Sequence, residues 1–85
     1  MNLTFFPEAW DDYQYWLVTD KRTALKINSL LKECFRHPFE GTGKPEPLKG
    51  DYSGFWSRRI DREHRLVYRA TPTALEIAQC RYHYG

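Results

Sequence analysis

The chain ends in Arg81-Tyr82-His83-Tyr84-Gly85, which sets an imidazole between two phenols and close to a guanidinium. The composition of a chain terminus is usually little constrained, so four functional side chains in succession indicate a site built on the tail. Glu46 and Arg65 add a carboxylate and a second guanidinium. A carboxylate base, a cation for a phosphate and a titratable acid are the groups needed to cleave RNA without a metal.

RNA carries its own nucleophile, the ribose 2′-hydroxyl, so a base and an acid are sufficient partners. An ordinary Glu is ionised at pH 7 and an ordinary His is close to its titration point, which suits Glu46 as base and His83 as acid. A guanidinium can pair with two phosphate oxygens, the role predicted for Arg65. The auxiliary groups predicted around these three are the cations Lys49 and Arg59 and the stacking ring Tyr84.

Simpler interpretations of these side chains remain open from the residues alone. Glu46 also fits a solvated surface carboxylate, and His83 a terminal residue that faces solvent. Arg65 has Glu63 and Asp61 nearby in sequence as salt-bridge partners. We expect Tyr82 in the core and His37 and His64 at its boundary. No His or Cys pair has the spacing of metal ligands, so we expect neither a metal nor another cofactor.

Length and composition limit the chain to one domain, residues 1–85. Fourteen aromatic residues must supply much of its small core. No apolar run approaches a membrane span and the first residues do not resemble a signal peptide, so we expect a cytoplasmic protein. Cys34 and Cys80 fall at apolar-patterned positions and are predicted to be buried, reduced thiols.

The net charge of +2 is unevenly distributed. Residues 1–40 hold five basic and six acidic side chains, whereas residues 41–85 hold eight basic and five acidic ones. The basic excess therefore accompanies the proposed site. The small net charge argues against tight, autonomous binding to long nucleic acid.

The order of elements predicts two helices followed by a sheet. Residues 3–6 are β-prone, and Pro7 suits the first turn of a helix with an apolar stripe from Ala9 to Leu17. Thr19 or Asp20 can cap a second helix, which Pro38 ends. Three strands are predicted at 55–60, 65–70 and 75–82, with turns at 61–64 and 71–73. The fold class is α+β: two N-terminal helices packed on a twisted antiparallel sheet of four to five strands.

The segment from 38 to 54 is a loop in which Glu46 stands between two prolines. Pro45 and Pro47 restrict the backbone, so the carboxylate is predicted to be held in place. Strand alternation sets Trp56 and Ile60 on an apolar face that the helices cover, and Arg59 and Arg65 on the opposite, basic face. We expect that basic face to be bordered by the loop and the C-terminal tail.

A family resemblance rests on several long motifs. They are the segment from Pro38 to Lys49, Ser53-Gly54-Phe55-Trp56-Ser57-Arg58-Arg59-Ile60, Glu63-His64-Arg65-Leu66-Val67-Tyr68, and the closing Arg81-Tyr82-His83-Tyr84. With these motifs the chain resembles the YoeB-type toxins of the RelE superfamily over nearly its whole length. The resemblance implies a type II toxin–antitoxin mRNA interferase, which cuts mRNA in the ribosomal A site and contacts 16S rRNA of the 30S subunit.

The resemblance also implies roles for single residues and partners. Glu46 matches the family's general base, Arg65 its phosphate-stabilising arginine, His83 its general acid and Tyr84 its terminal tyrosine. Lys49, Arg59 and Glu63 match positions in or beside the site. The implied partners are a YefM-like antitoxin with a partly disordered, acidic segment, and a second copy of the chain in a homodimer.

Two other classes of protein remain open at this point. One is a non-enzymatic toxin of the same superfamily that binds a protein target, and the other is a ribonuclease that acts without the ribosome. Gly85 departs from the family pattern, which ends at the tyrosine. The extra residue moves the terminal carboxylate one residue away from Tyr84.

Overall fold

The computed structural model describes residues 1–83, and the predicted role of Tyr84 lies outside this range, as does Gly85. The fold has two helices and five strands. They are, in chain order, β1 (Asn2–Phe5), α1 (Pro7–Thr19), α2 (Lys21–Arg36), β2 (Glu46–Pro47), β3 (Trp56–Arg59), β4 (Arg65–Ala70) and β5 (Ala74–Gln79), with a 3₁₀ turn at Gly50–Tyr52. Neither helix of residues 1–83 has the length and apolar character that crossing a membrane requires.

The helices begin where the sequence indicates. Pro7 occupies the first turn of α1, where its missing N–H would have no partner. Asp20 caps α2, because its carboxylate accepts hydrogen bonds from the backbone N–H groups of Arg22 and Thr23. The last helical residue, Arg36, precedes Pro38 by two positions.

The strands form one sheet in the order β1-β5-β4-β3-β2. Strands β3 to β5 form the predicted antiparallel meander. The segment predicted as a loop contains the short strand β2, which pairs antiparallel with β3, and β1 pairs in parallel with β5. The parallel pair arises because the two helices carry the chain away from β1 before the meander returns to it. The α+β fold of two helices on a five-stranded sheet is therefore confirmed, with a mixed sheet.

One face of the sheet packs against the helices and contains the core. The buried core residues are Ala9 and Trp16 of α1, Ala24, Ile27, Leu30, Leu31 and Cys34 of α2, and Ile60, Leu66, Tyr68, Leu75, Ile77 and Cys80 from the sheet and its ends. Trp10 and Leu17, which the apolar stripe of α1 placed on the inner face, are 51% and 38% exposed. The ring of Trp10 instead contacts that of Phe5, at the end of β1, and that of Tyr13 in α1.

Both cysteines are unpaired and buried, as predicted. Burial raises the pKa of Cys34 to about 11 and that of Cys80 to about 12. Burial likewise raises the pKa of the Tyr68 phenol to about 12. These three groups are held in their neutral forms inside the core.

Candidate active site

The outer face of the sheet collects the polar side chains of three consecutive strands. Glu46 of β2 lies opposite Ser57 of β3, and Arg59 of β3 lies opposite Arg65 at the start of β4. Residues directly opposite in antiparallel strands project to the same side. The two-residue strand β2 thus brings Glu46 next to the cations of β3 and β4, and holds it in the sheet as the flanking prolines predicted.

These side chains border a small cavity of about 150 Å³. Its lining residues are Lys44, Glu46, Ser57, Arg59, Arg65 and His83. The structure therefore brings together four of the side chains singled out in the sequence, although Glu46 and His83 are 37 residues apart. Lys44 and Ser57 were not predicted. Strand alternation carried the signal for Ser57, which lies two residues before Arg59.

The turn that precedes β4 holds Arg65 in position. Its Nη1 atom donates to the carbonyl oxygens of Asp61 at 2.9 Å and of His64 at 3.0 Å. The alternative interpretation, a salt bridge to the carboxylate of Asp61 or Glu63, is not what orients this nitrogen. The Asp61 carboxylate instead accepts the backbone N–H groups of Glu63 and His64 at 2.8 and 2.7 Å. Although burial opposes the shift, these two hydrogen bonds lower the pKa of Asp61.

Helix α1 fixes the start of the tail that carries His83. The indole Nε1 of Trp16 donates to the carbonyl oxygen of Cys80 at 2.8 Å. The backbone N–H of Cys80 donates to the Asp12 carboxylate at 3.1 Å. Burial raises the pKa of Asp12, against the opposing effects of this hydrogen bond and of the Arg81 charge. Arg81 itself lies over the ring of Tyr15, 3.4 Å from its centroid.

Tyr82 does not lie in the core, so that prediction was wrong. Its side chain is 52% exposed, and Arg81 stacks on its ring. The reason is that β5 ends at Gln79, before the predicted end at residue 82. Strand alternation no longer applies beyond that point, and Tyr82 adopts a left-handed backbone with φ of 64°.

Two predicted site residues lie away from the cavity lining. Lys49 is exposed and follows β2 by two positions. Glu63 is in the turn before β4, where its side chain is 75% exposed and its carboxylate lies 3.7 Å from the Nε2 atom of His64. Of the predicted site residues that the structure describes, Lys49 and Glu63 therefore lie outside the cavity lining. The others line the cavity: Glu46, Arg59, Arg65 and His83.

A buried arginine that the sequence analysis missed supports the loop leading to Lys44 and Glu46. Arg58 is fully buried on the inner side of β3. Its guanidinium donates to the Glu33 carboxylate at 3.0 Å and to the Tyr68 hydroxyl at 3.1 Å. The same group also donates to three backbone carbonyl oxygens of the loop, those of His37, Glu40 and Thr42. The available signal was a charged residue at a strand position where alternation places an apolar one.

The composition of the cavity favours an anionic ligand with two proton-transfer groups beside it. Lys44, Arg59 and Arg65 supply three cations, while Glu46 and His83 supply a carboxylate and an imidazole. Preorganised cations and hydrogen-bond donors stabilise charge that develops on a phosphoryl group. Within residues 1–83, no group of three or more His, Cys, Asp or Glu side chains is arranged to hold a metal ion.

The whole fold is shared with solved bacterial toxins. A YoeB/ParE toxin from Agrobacterium tumefaciens superposes with a TM-score of 0.96 at 53% identity, covering 99% of this chain and 100% of the other. YoeB of Staphylococcus aureus is 49% identical with 99% and 98% coverage. A chain from the structure of its dimer superposes with a TM-score of 0.93, and a chain from its heterotetrameric complex with the antitoxin YefM superposes with 0.91. The fold thus defines a toxin of the YoeB/ParE type.

Sequence comparison narrows this class to one family. The model of the YoeB-like toxin of bacterial type II toxin–antitoxin systems matches residues 5–84. Toxin YoeB of Escherichia coli K12 is 63% identical over 84 residues, which cover 99% of this chain and 100% of that protein. The chain belongs to the YoeB-like toxin family, and the resemblance found in the sequence is confirmed.

Proposed function

We propose that this toxin is a metal-independent endoribonuclease that cleaves mRNA in the ribosomal A site and so inhibits translation. The observation that carries the proposal is the single cavity lined by Glu46, Arg65 and His83 together with Lys44 and Arg59. The groups fit a phosphodiester, which needs a base near one oxygen, an acid near another and cations between them. A ribosomal substrate implies that the toxin acts in the cytoplasm.

In the proposed reaction, the carboxylate of Glu46 takes the proton of the ribose 2′-hydroxyl, and O2′ forms a bond to the adjacent phosphorus. The bond from phosphorus to O5′ breaks as His83 donates a proton to the departing oxygen. The products are a 2′,3′-cyclic phosphate, which can open to a 3′-phosphate, and a 5′-hydroxyl. Arg65, oriented by the carbonyl groups of the 61–64 turn, pairs with the non-bridging oxygens as their charge grows.

Four further residues have proposed supporting roles. Arg59 and Lys49 add positive charge for the RNA backbone, Arg59 in the cavity and Lys49 beside it. Glu63 acts at the edge of the site, where it lies near His64. Tyr84 follows the acid His83 directly in sequence and is proposed to stack on a base or to orient the phosphate.

Primer extension on a defined mRNA, with and without 70S ribosomes, tests the proposal. We expect wild-type cuts only with ribosomes and only within codons in the A site, and the downstream fragment should carry a 5′-hydroxyl. His83→Gln should abolish these cuts, and its circular dichroism spectrum should match that of the wild type. Equal cutting by the His83→Gln variant or a 5′-phosphate product would refute the mechanism. Equal cutting of naked RNA would refute the ribosome dependence, and toxicity that survives His83→Gln would favour the non-enzymatic binding toxin.

We also propose a YefM-like antitoxin as partner and a homodimer as the state of the toxin alone. Support comes from the solved Staphylococcus aureus relatives, described as a YoeB dimer and a YoeB–YefM heterotetramer. A cationic cavity on the outer sheet face suits an acidic segment that orders on binding. Light scattering should give the mass of two chains for the toxin alone. Addition of its cognate antitoxin should raise that mass and stop cleavage; a monomer mass, or cleavage that persists in the complex, would contradict the respective proposal.

A further inference from the structure

We propose that His64 is a positioning residue for His83 and acts through the backbone of Tyr82. The inference rests on the proposed function, because it names what holds the candidate acid in the cavity. His64 matched only a boundary position in the sequence analysis. Its ring does not line the cavity, and its effect on the reaction is therefore indirect.

Two consecutive residues, the last of the turn before β4 and the first of β4, hold both backbone groups of Tyr82. The backbone N–H of Tyr82 donates to the Nδ1 atom of His64 at 2.7 Å. The carbonyl oxygen of Tyr82 accepts the backbone N–H of Arg65 at 3.0 Å. That carbonyl belongs to the peptide that joins Tyr82 to His83, so the two hydrogen bonds set the direction in which His83 leaves the sheet.

The conformation held in this way is an uncommon one. Tyr82 has a φ of 64°, in the left-handed region that L side chains other than Asn and Asp seldom occupy. Such a conformation persists only when its surroundings enforce it, and such sites cluster in functional regions. The amide of Gln79 adds to the enforcement, because its nitrogen donates to the carbonyl oxygens of Arg81 and Tyr82 at 2.8 and 3.3 Å.

The imidazole of His64 is fixed by packing on its other side. Its side chain is only 13% exposed. The ring of Trp16 meets it edge to face with centroids 4.8 Å apart, and the ring of Tyr82 lies 6.0 Å away. Trp16 is buried and also anchors Cys80 through its indole nitrogen. Helix α1 thus orients the histidine and the tail together.

The hydrogen bond from the Tyr82 N–H requires His64 to be unprotonated at Nδ1. Because the Tyr82 N–H is the donor, Nδ1 must carry a lone pair, and the neutral ring holds its proton on Nε2, the atom 3.7 Å from the Glu63 carboxylate. Protonation of Nδ1 would set two donors against each other and release the Tyr82 amide. The titratable groups near the ring are Asp61 and Glu63 from the turn and Tyr82 from the tail. Arg65 donates to the His64 carbonyl oxygen, Arg81 lies over the Tyr82 ring, and α1 contributes the uncharged Trp16.

Two substitutions separate the acceptor from the titrating ring. In His64→Asn the amide oxygen stands at the same number of bonds from the backbone as Nδ1, so it can accept the Tyr82 N–H, but it does not titrate. His64→Leu fills space without any acceptor. The matched control is His37→Leu, which changes an exposed histidine away from the tail.

Cleavage of mRNA on programmed ribosomes is the first measurement. At pH 8 we expect His64→Leu to lower the maximal rate roughly 100-fold with half-saturation unchanged, as for a misplaced catalytic group. His64→Asn should stay within about threefold of wild type, comparable to His37→Leu. From pH 8 to pH 5.5 the wild type should lose more activity than His64→Asn. Wild-type activity in His64→Leu, or equal loss in both His64 variants, would overturn the proposal.

Nuclear magnetic resonance gives a readout independent of cleavage and of whether the leucine variant folds. In the wild type, the Tyr82 amide resonance should move with pH in step with the His64 ring nitrogens. In His64→Asn that movement should vanish. If wild type and His83→Gln leave RNA equally intact while this coupling is present, the proposed function fails and the positioning of the tail stands. A Tyr82 amide that ignores His64 protonation refutes the positioning itself.

Discussion

At the residue scale, the cavity separates side chains that look alike in the sequence. Glu46 and Glu63 are both carboxylates in segments rich in basic residues, yet only Glu46 lines the cavity. Glu63 lies in the turn before β4 with its side chain 75% exposed. The same separation applies to Arg59 and Lys49. Because a general base must reach the proton it removes, placement rather than residue type decides the candidate.

This difference gives a direct test of the proposed base. Glu46→Gln should lower the rate of mRNA cleavage about 10²- to 10⁴-fold, since the amide cannot take the proton. Glu63→Gln, a change of the same size and charge, should cost less than about tenfold because that side chain lies outside the cavity. Single-turnover cleavage on programmed ribosomes measures both. Equal losses in the two variants would show that charge near the site, and not proton transfer by Glu46, limits the reaction.

At the element scale, Arg58 connects α2, the 37–42 loop and β3 from inside the core. Its partner Glu33 also accepts the backbone N–H of Thr42 at 2.5 Å, so one carboxylate oxygen joins the helix to both the loop and the strand. Gly41 leaves room for this junction, because a Cβ at that position would lie 1.8 Å from Glu33 Oε1. The loop continues through Gly43, whose carbonyl oxygen accepts the Arg59 N–H at 2.7 Å. The loop that leads to Lys44 and Glu46 is thus held in place by the buried charge of Arg58.

Arg58→Met should therefore destabilise the fold by about 2–3 kcal/mol, since it removes a buried charged donor from the Glu33 carboxylate and from three partly buried loop carbonyl groups. Urea denaturation at pH 7 measures this loss, and Glu33→Gln should show a smaller one. The Thr42 N–H and the Arg58 charge lower the pKa of Glu33. The stability that its ionisation contributes is present above the ordinary value of 4.5 and is lost as pH falls through the lowered pKa.

The control compares how the stability of the wild type and that of Glu33→Gln depend on pH. Between pH 5 and pH 3 the wild type should lose more stability than Glu33→Gln, which has no carboxylate to protonate at this position. Parallel loss in both would show that the junction does not depend on the Glu33 charge. If Arg58→Met is as stable as the wild type at pH 7, the 37–42 loop does not depend on the Arg58 hydrogen bonds for its conformation.

At the scale of the whole molecule, the core holds three titratable groups in neutral form. Cys34 lies on α2, Tyr68 on β4 and Cys80 just beyond β5, and each is at most 1% exposed. The unfolded thiols titrate near 9.0, whereas burial raises the folded pKa values to about 11 and about 12. The folded state therefore binds more protons than the unfolded state above pH 9. Stability is complete below that pH and falls as pH rises toward 11–12.

Urea denaturation from pH 8 to pH 10.5 under reducing conditions should show this loss. Each thiol should contribute a slope of up to about 1.4 kcal/mol per pH unit once the unfolded thiol ionises. The double variant Cys34→Ala, Cys80→Ala should start from a lower stability, because it leaves cavities, but should decline less steeply between pH 9 and pH 10. Identical slopes would exclude the thiols as the cause.

The sequence by itself determined the local features of this protein. The proline and the apolar stripe of α1, the Asp20 cap and the turns between strands are set within a few neighbouring residues. These features predicted the helices and the meander. The alternation of side chains along the predicted strands placed Arg59 and Arg65 on one basic face of the sheet. Glu46 and His83 were selected by their chemistry and by family resemblance, and the structure brings both to that face.

Only the tertiary structure decided what depends on contacts between distant segments. The parallel pairing of β1 with β5, the burial of Arg58 beneath the loop, and the entry of Lys44 and Ser57 into the cavity involve partners far apart in the chain. Tyr82 leaves the strand pattern because His64 and Arg65 hold its backbone from across the sheet. Local periodicity carries no information about such partners, since their energies arise only when the whole chain has folded.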